Sequence, residues 1–228
     1  MAHQAQFDFM EKVRGAFPQH FRSRRVLEIG SLDINGSVRR FFDRCEYVGL
    51  DVAPGPGVDV VCAGQAYAAP GASFDVVLSC EAMEHNPHWI ETMRNMVRLC
   101  RPDGLIIMTC ATTGRDEHGT TRSQPSDSPL TVGIGWEYYR NLTAQDIVAA
   151  GVTKGLGFSA FFTNWHSHDL YMLGAKAGIS VGELRAVRRI GAAYQRSNFG
   201  TFRGVRNFLR ARLAVGAGRP GNTPKPPS

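Results

Sequence analysis

Apolar and polar positions along this chain switch between two periods, and the switching predicts alternating strands and helices. Short apolar runs read as strands at Val26–Gly30, Tyr47–Asp51, Val58–Cys62, Phe74–Cys80 and Leu105–Ala111. Around them, apolar residues recur at helical spacing. Phe7, Met10, Val13, Ala16 and Phe17 mark a short amphipathic helix within residues 6–20, and Ser37–Arg44 predicts a helix after Gly36. His88–Cys100 predicts another, stopped by a turn at Arg101-Pro102-Asp103-Gly104. The Leu105–Ala111 run is continuous rather than alternating, as in a strand with helices over both faces. Strands and helices in this order predict an α/β fold, a parallel sheet in a three-layer sandwich.

The rhythm breaks over Thr112–Leu142, which is polar, rich in Gly, Ser, Pro and Thr, and too long for an ordinary connection. A helix over Leu142–Gly151 follows, with Thr143 as its N-cap. Apolar runs near 156–163 and 170–176, joined by the polar link Trp165–His168, predict a hairpin that joins the sheet. Two basic helices at about 181–196 and 202–214 and a Gly/Pro tail finish the chain. The expected organisation is a domain over 1–178 with a long ligand-facing loop at 112–142, a basic helical extension over 179–215, and a disordered tail over 216–228.

Composition narrows the class. With 228 residues, 43% hydrophobic and 20% charged, the chain suits one well-buried core. No run approaches the roughly 18 apolar residues of a membrane span, and the acid-containing N-terminus does not read as a secretory signal. Cys45, Cys62, Cys80, Cys100 and Cys110 are scattered, odd in number and mostly within or beside apolar runs. They read as buried thiols in a reducing compartment, so a cytoplasmic location is expected. The net charge of +6 is uneven: Arg185, Arg188, Arg189, Arg196, Arg203, Arg206, Arg210, Arg212 and Arg219 follow one another without an acid. The basicity therefore belongs to the C-terminal extension, which is a candidate surface for an anionic partner or a second copy of the chain.

Candidate chemistry sits at the strand ends. Gly30 ends the first strand, Gly36 precedes the helix, and Asp51 closes the second strand, where an acid can accept hydrogen bonds from both hydroxyls of a ribose. A nucleoside-containing cofactor is expected in the crevice at the carboxyl ends of these strands. Gly30-Ser31-Leu32-Asp33-Ile34-Asn35-Gly36 lacks the middle glycine that brings backbone amides onto a pyrophosphate, which counts against NAD.

Four pieces in this order, VLEIGS with the later Gly36, YVGLD, FDVVLSCEAMEH and LCRPDGLIIMTCA, resemble the class I S-adenosylmethionine (SAM)-dependent methyltransferases. The similarity is to the small-molecule branch often called type 11, in which Glu84-His85-Asn86-Pro87 and the R-P-x-G turn have counterparts, and it covers about residues 20–177. The resemblance implies a Rossmann-like, mostly parallel seven-stranded sheet with an antiparallel last strand, and SAM as cofactor. It places the backbone near Gly30 against the methionine part, Ser31 and Gly36 among the cofactor-binding residues, and Asp51 on the ribose. Ser79, Cys80 and Glu81 fall beside the sulfonium. Glu28 either meets the cofactor's amino group or caps backbone amides; Asn35 either meets the methionine end or shapes the turn. Gln65 stands where the family usually has an acid near the adenine.

The expected reaction is methyl transfer to a small-molecule acceptor, at an oxygen of a sugar, glycan precursor or other secondary metabolite. His118, after the fifth strand and beside Glu117, and His85 are the candidate general bases, each also readable as structural. Tyr138 and Tyr139 either wall an acceptor pocket or pack the loop. His166-Ser167-His168-Asp169 has no evident third ligand, so no metal site is expected. The alternatives are a SAM-binding scaffold without catalysis and a nucleic-acid methyltransferase using the arginine helices. The D/N-P-P-Y/F/W type of motif used on exocyclic amines is absent, which disfavours the latter.

Overall fold

In the computed structural model, which describes residues 4–216, seven strands form one sheet in the order β3-β2-β1-β4-β5-β7-β6. The strands are β1 (Arg25–Ile29), β2 (Glu46–Asp51), β3 (Val60–Val61), β4 (Phe74–Cys80), β5 (Cys100–Ala111), β6 (Phe158–Asn164) and β7 (Asp169–Ala175). β3, β2, β1, β4 and β5 run parallel, and β7 pairs antiparallel with both β5 and β6. This is the Rossmann-like sheet the sequence led us to expect, with the antiparallel strand last in the chain.

Strand residues point alternately to two apolar layers, as a pleated strand covered on both faces requires. Val26, Val76, Leu78, Leu105, Ile107, Tyr171 and Leu173 pack under α1 (Gln4–Ala16) and α5 (Val181–Phe199). Leu27, Val77, Ile106, Met108, Cys110 and Met172 pack under α2 (Trp89–Leu99) and α4 (Ala144–Ala149). A short helix α3 (Pro129–Gly133) lies in the connection after β5, and α6 (Phe202–Gly216) follows α5. The predicted Gly/Pro tail lies outside the described residues beyond position 216.

Three local expectations are corrected. Ser37–Arg44 forms only a single 3-10 turn, Val38–Phe41, with Phe42 already extended and Arg44 left-handed at φ 52°. The segment turns into extended chain at once, because the Asp43 amide donates to the Phe21 carbonyl and the Glu46 amide to the Arg24 carbonyl, each at 2.9 Å. α1 covers that face instead: Phe7 meets Phe41 at 6.2 Å between ring centroids, and the Arg40 guanidinium lies 3.8 Å from the Phe7 centroid. The third strand shrinks to two residues because the Asp59 carboxylate accepts the Gly49 amide at 2.7 Å. Arg101–Gly104 is not a free turn but a bulge inside β5, since Phe74 pairs with Cys100 and Val76 with Leu105.

The division at residue 178 separates charge, not packing. Val187, Ile190 and Tyr194 of α5 are buried in the layer beneath α1, and Tyr194 approaches Tyr171 at 5.3 Å and Phe162 at 6.0 Å. The arginines of α5 fall outside this buried apolar stripe.

Candidate active site

The carboxyl ends of β1, β2 and β4 open on a cleft, where open α/β sheets bind small ligands. Glu28, Gly30, Ser31, Gly36, Asp51, Cys80, Glu81 and His85 line it, eight of the residues the sequence nominated. Asp127–Thr131, from the long connection after β5, close its far side. Parallel strands produce this crevice because their connections leave from one end.

Gly30 has a reason to be glycine. It adopts φ 80°, and a Cβ there would lie 2.4 Å from the Ala82 Cβ. Its amide donates to the Leu50 carbonyl at 2.8 Å, tying the loop to β2. Beside it, the buried Ser31 hydroxyl has no hydrogen-bond partner, a polar group that awaits one from the cleft. Asp51 accepts from the Leu32 amide at 3.0 Å and the Val52 amide at 2.8 Å, which orients its carboxylate; burial nonetheless raises its pKa. Two carboxylate oxygens provide about four acceptor sites, so capacity remains for ligand hydroxyls.

Glu28 lies on β1, facing α1, where the Tyr47 hydroxyl donates to its Oε2 at 2.7 Å. Burial pushes its pKa up to about 7, with the Tyr47 hydrogen bond opposing. A cation in the cleft would find there an acid that gains by ionising. Burial also raises the Cys80 thiol well above its usual range, so Cys80 is no nucleophile. Glu81 holds φ 55°, a strained conformation at the end of β4, and accepts from the Thr109 hydroxyl at 2.9 Å. Burial, then the neighbouring Glu84 carboxylate, raises its pKa well above that of an ordinary glutamate.

The other nominated residues fall elsewhere. Ser79 is fully buried and donates to the Ile29 carbonyl at 2.7 Å, joining β4 to β1. Gln65 accepts from Thr92 at 3.3 Å, and Asn35 is exposed; neither lines the cleft.

His118 lines a second cavity, with Arg115, Asp116, Glu117, His166, His168, Arg203 and Arg206 around it. Its ring meets that of His85 edge-on, 4.9 Å between centroids, so the two imidazoles form the wall between the cavities. Tyr139 packs against both, 5.6 Å from His85 and 4.9 Å from His118, which decides its packing role. Burial and the adjacent His118 hold the His85 pKa well below the usual histidine value. His166 and His168 are engaged with the Ser197 and Thr113 carbonyls, each at 3.0 Å.

Sequence reasoning passed over Glu84. It is fully buried between β4 and β5, where its Oε1 accepts the Ala111 amide at 3.1 Å. The motif Glu84-His85-Asn86-Pro87 was visible, but nothing in spacing alone distinguished Glu84 from a solvated acid.

Against this geometry the comparisons with known proteins take their place. The profile of a family described as "Methyltransferase domain" matches residues 1–141, more than half of the chain. The chain belongs to that family. The methyltransferase is also similar to solved structures at low identity. One is a 1,6-didemethyltoxoflavin-N1-methyltransferase from Burkholderia thailandensis with 1,6-didemethyltoxoflavin and S-adenosylhomocysteine bound: 15% identity, 78% of this chain and 92% of that one covered, TM-score 0.48. Another is a putative methyltransferase from Bacillus halodurans: 10% identity, 74% of this chain and 100% of that one covered, TM-score 0.49. No curated protein matches. As a SAM-dependent methyltransferase the protein uses SAM, and the cleft suits it. The Gly30 cradle admits backbone contact, the Ser31 hydroxyl and Asp51 supply polar partners, and Glu28 offers a buried carboxylate to a cationic ligand.

Proposed function

We propose that this methyltransferase methylates an oxygen of a small-molecule acceptor, such as a sugar, glycan precursor or other secondary metabolite. In this reading Asp51 accepts hydrogen bonds from the ribose hydroxyls, Glu28 faces the amino group, and the backbone from Gly30 to Ser31 flanks the methionine chain. SAM supplies an electrophilic methyl on a sulfonium. Cys80 and Glu81 border that methyl, and the acceptor enters from the side of His85 and His118.

The observation that carries the oxygen assignment is the buried His85–His118 pair between the two cavities. A hydroxyl must lose its proton as the new C–O bond forms, whereas a neutral amine attacks with its own lone pair. A site with two imidazoles at the acceptor wall is equipped for the hydroxyl case. Asp127–Thr131 exclude water above the cleft, and holding the acceptor in line supplies most of the rate. Arg203 and Arg206, on the second cavity, favour an acceptor with an anionic group.

Thermal melts test the cofactor, and a labelled-SAM screen of hydroxyl compounds, with and without phosphate or carboxylate groups, tests the acceptor. S-adenosylhomocysteine raises Tm, NADH does not, and a hydroxyl compound takes the label. Label appearing only on amine or carbon acceptors overturns the oxygen assignment.

A further inference from the structure

Glu84, His85 and His118 are buried together, and one ligand atom from each lies within 4.8 Å of the other two. Their remaining valences agree. Glu84 Oε2 has no hydrogen-bond partner, and neither ring nitrogen of His85 has one. His118 Nδ1 is 3.1 Å from the Asp116 carbonyl, so it carries the proton and leaves the Nε2 lone pair to accept. A backbone carbonyl behind a histidine is the usual orienting partner of a metal ligand. Glycine at 119 (φ 64°) keeps this space open, because a Cβ there would lie 2.7 Å from His85 Cε1. Polar atoms this deeply buried and unpaired are costly unless a ligand satisfies them.

We propose that Glu84, His85 and His118 form a site for one divalent transition-metal ion at the acceptor side of the cleft. Two imidazole nitrogens and one carboxylate suit zinc, manganese, iron or cobalt rather than calcium, and three protein ligands leave positions open. Bonds of about 2.0–2.2 Å require donors about 3–3.5 Å apart, so the side chains close in by about an ångström on the ion. The ion's place beside His85 directs its open positions to the acceptor, which extends the oxygen-methylation reading and rests on it for this role. The methyl passes from sulfur to oxygen, the hydroxyl proton goes to water, and a methyl ether and S-adenosylhomocysteine result. The ion favours this step by lowering the pKa of that hydroxyl. With the ion bound, the same two imidazoles serve that proton loss through the metal they hold, so the pair still carries the oxygen reading.

The test is titration of chelator-stripped full-length protein with Co²⁺, followed by visible absorption and by elemental analysis after desalting. One ion per chain is expected, with ligand-field bands, displaced by Zn²⁺. His118→Ala and Glu84→Gln each weaken binding by about 100-fold or more, while His166→Ala leaves it unchanged. S-adenosylhomocysteine binding, measured in parallel, reports on folding and on the methyltransferase reading separately. Wild-type protein that binds S-adenosylhomocysteine but takes up no ion overturns the metal site and leaves that reading standing. Uptake equally strong in His118→Ala and Glu84→Gln, or lost in His166→Ala, also overturns it.

Discussion

At the scale of single residues, position in the cleft turns ordinary side chains into tests. If Asp51 accepts the two ribose hydrogen bonds proposed for it, Asp51→Ala lowers SAM affinity by about 2 kcal/mol, or about thirtyfold. Isothermal titration of the folded variant checks this, and unchanged affinity removes Asp51 from the site. Glu28 links the cleft to pH. Its carboxyl is pushed from 4.5 to about 7 in the fold, chiefly by burial. A raised acid binds more protons folded than unfolded, so its contribution to stability falls as pH climbs from about 4.5 to 7 and is flat above. The loss amounts to about 3 kcal/mol at 1.36 kcal/mol per pKa unit. Urea denaturation at pH 5 and pH 8 measures it, and Glu28→Gln flattens the difference; parallel curves for the two proteins would refute the assignment. A cation in the cleft opposes the same shift, so SAM binds more tightly at pH 8 than at pH 5.5.

At the scale of elements, short helices depend on their ends. α4 has only six residues, and its Thr143 cap forms a reciprocal box with Asp146: the Asp146 amide donates to Thr143 Oγ1 at 3.2 Å, and the Thr143 amide to Asp146 Oδ2 at 2.9 Å. Thr143→Ala costs about 1 kcal/mol and lowers Tm by about 2–4 °C. SAM binding stays intact, because α4 packs on the opposite layer through Ile147, away from the cleft lining. A calorimetric scan with and without S-adenosylhomocysteine separates the two effects. The cap was legible from Thr143 followed by Asp146, a local rule. The shortening of Ser37–Arg44 was not, because the apolar residues Val38, Phe41 and Phe42 fit helical spacing while Asp43 and Glu46 pair with the distant Phe21 and Arg24.

At the scale of the molecule, the sheet needs both helical layers. Truncation after Gly178 removes α5 and exposes Phe9, Phe162 and Tyr171, whose rings pack against Tyr194 at 5.3–6.5 Å. Loss of a cooperative thermal transition in the truncated chain is the expected result. A cooperative, SAM-binding 1–178 fragment would show that α1 alone covers that face. Among the described residues no helix is long and apolar enough to cross a membrane.

The resemblance of four motifs in order pointed to the cofactor, and the sequence by itself determined the strand order and the glycine and acid at the ends of β1 and β2. Each of these follows from local period or from residues close in the chain. Only the tertiary structure decided that α1 takes the place of a crossover helix, that α5 belongs to the core, and that His85 and His118 form one wall. It also separated Gln65 and Ser79 from the cleft and joined Glu84 to the histidines. Apart from the neighbours Glu84 and His85, these are contacts between residues from 27 to over 180 positions apart (Gln65 to Thr92, Phe9 to Tyr194), held by the packing of layers. No periodicity in the chain records which side chains a folded sheet will bring together.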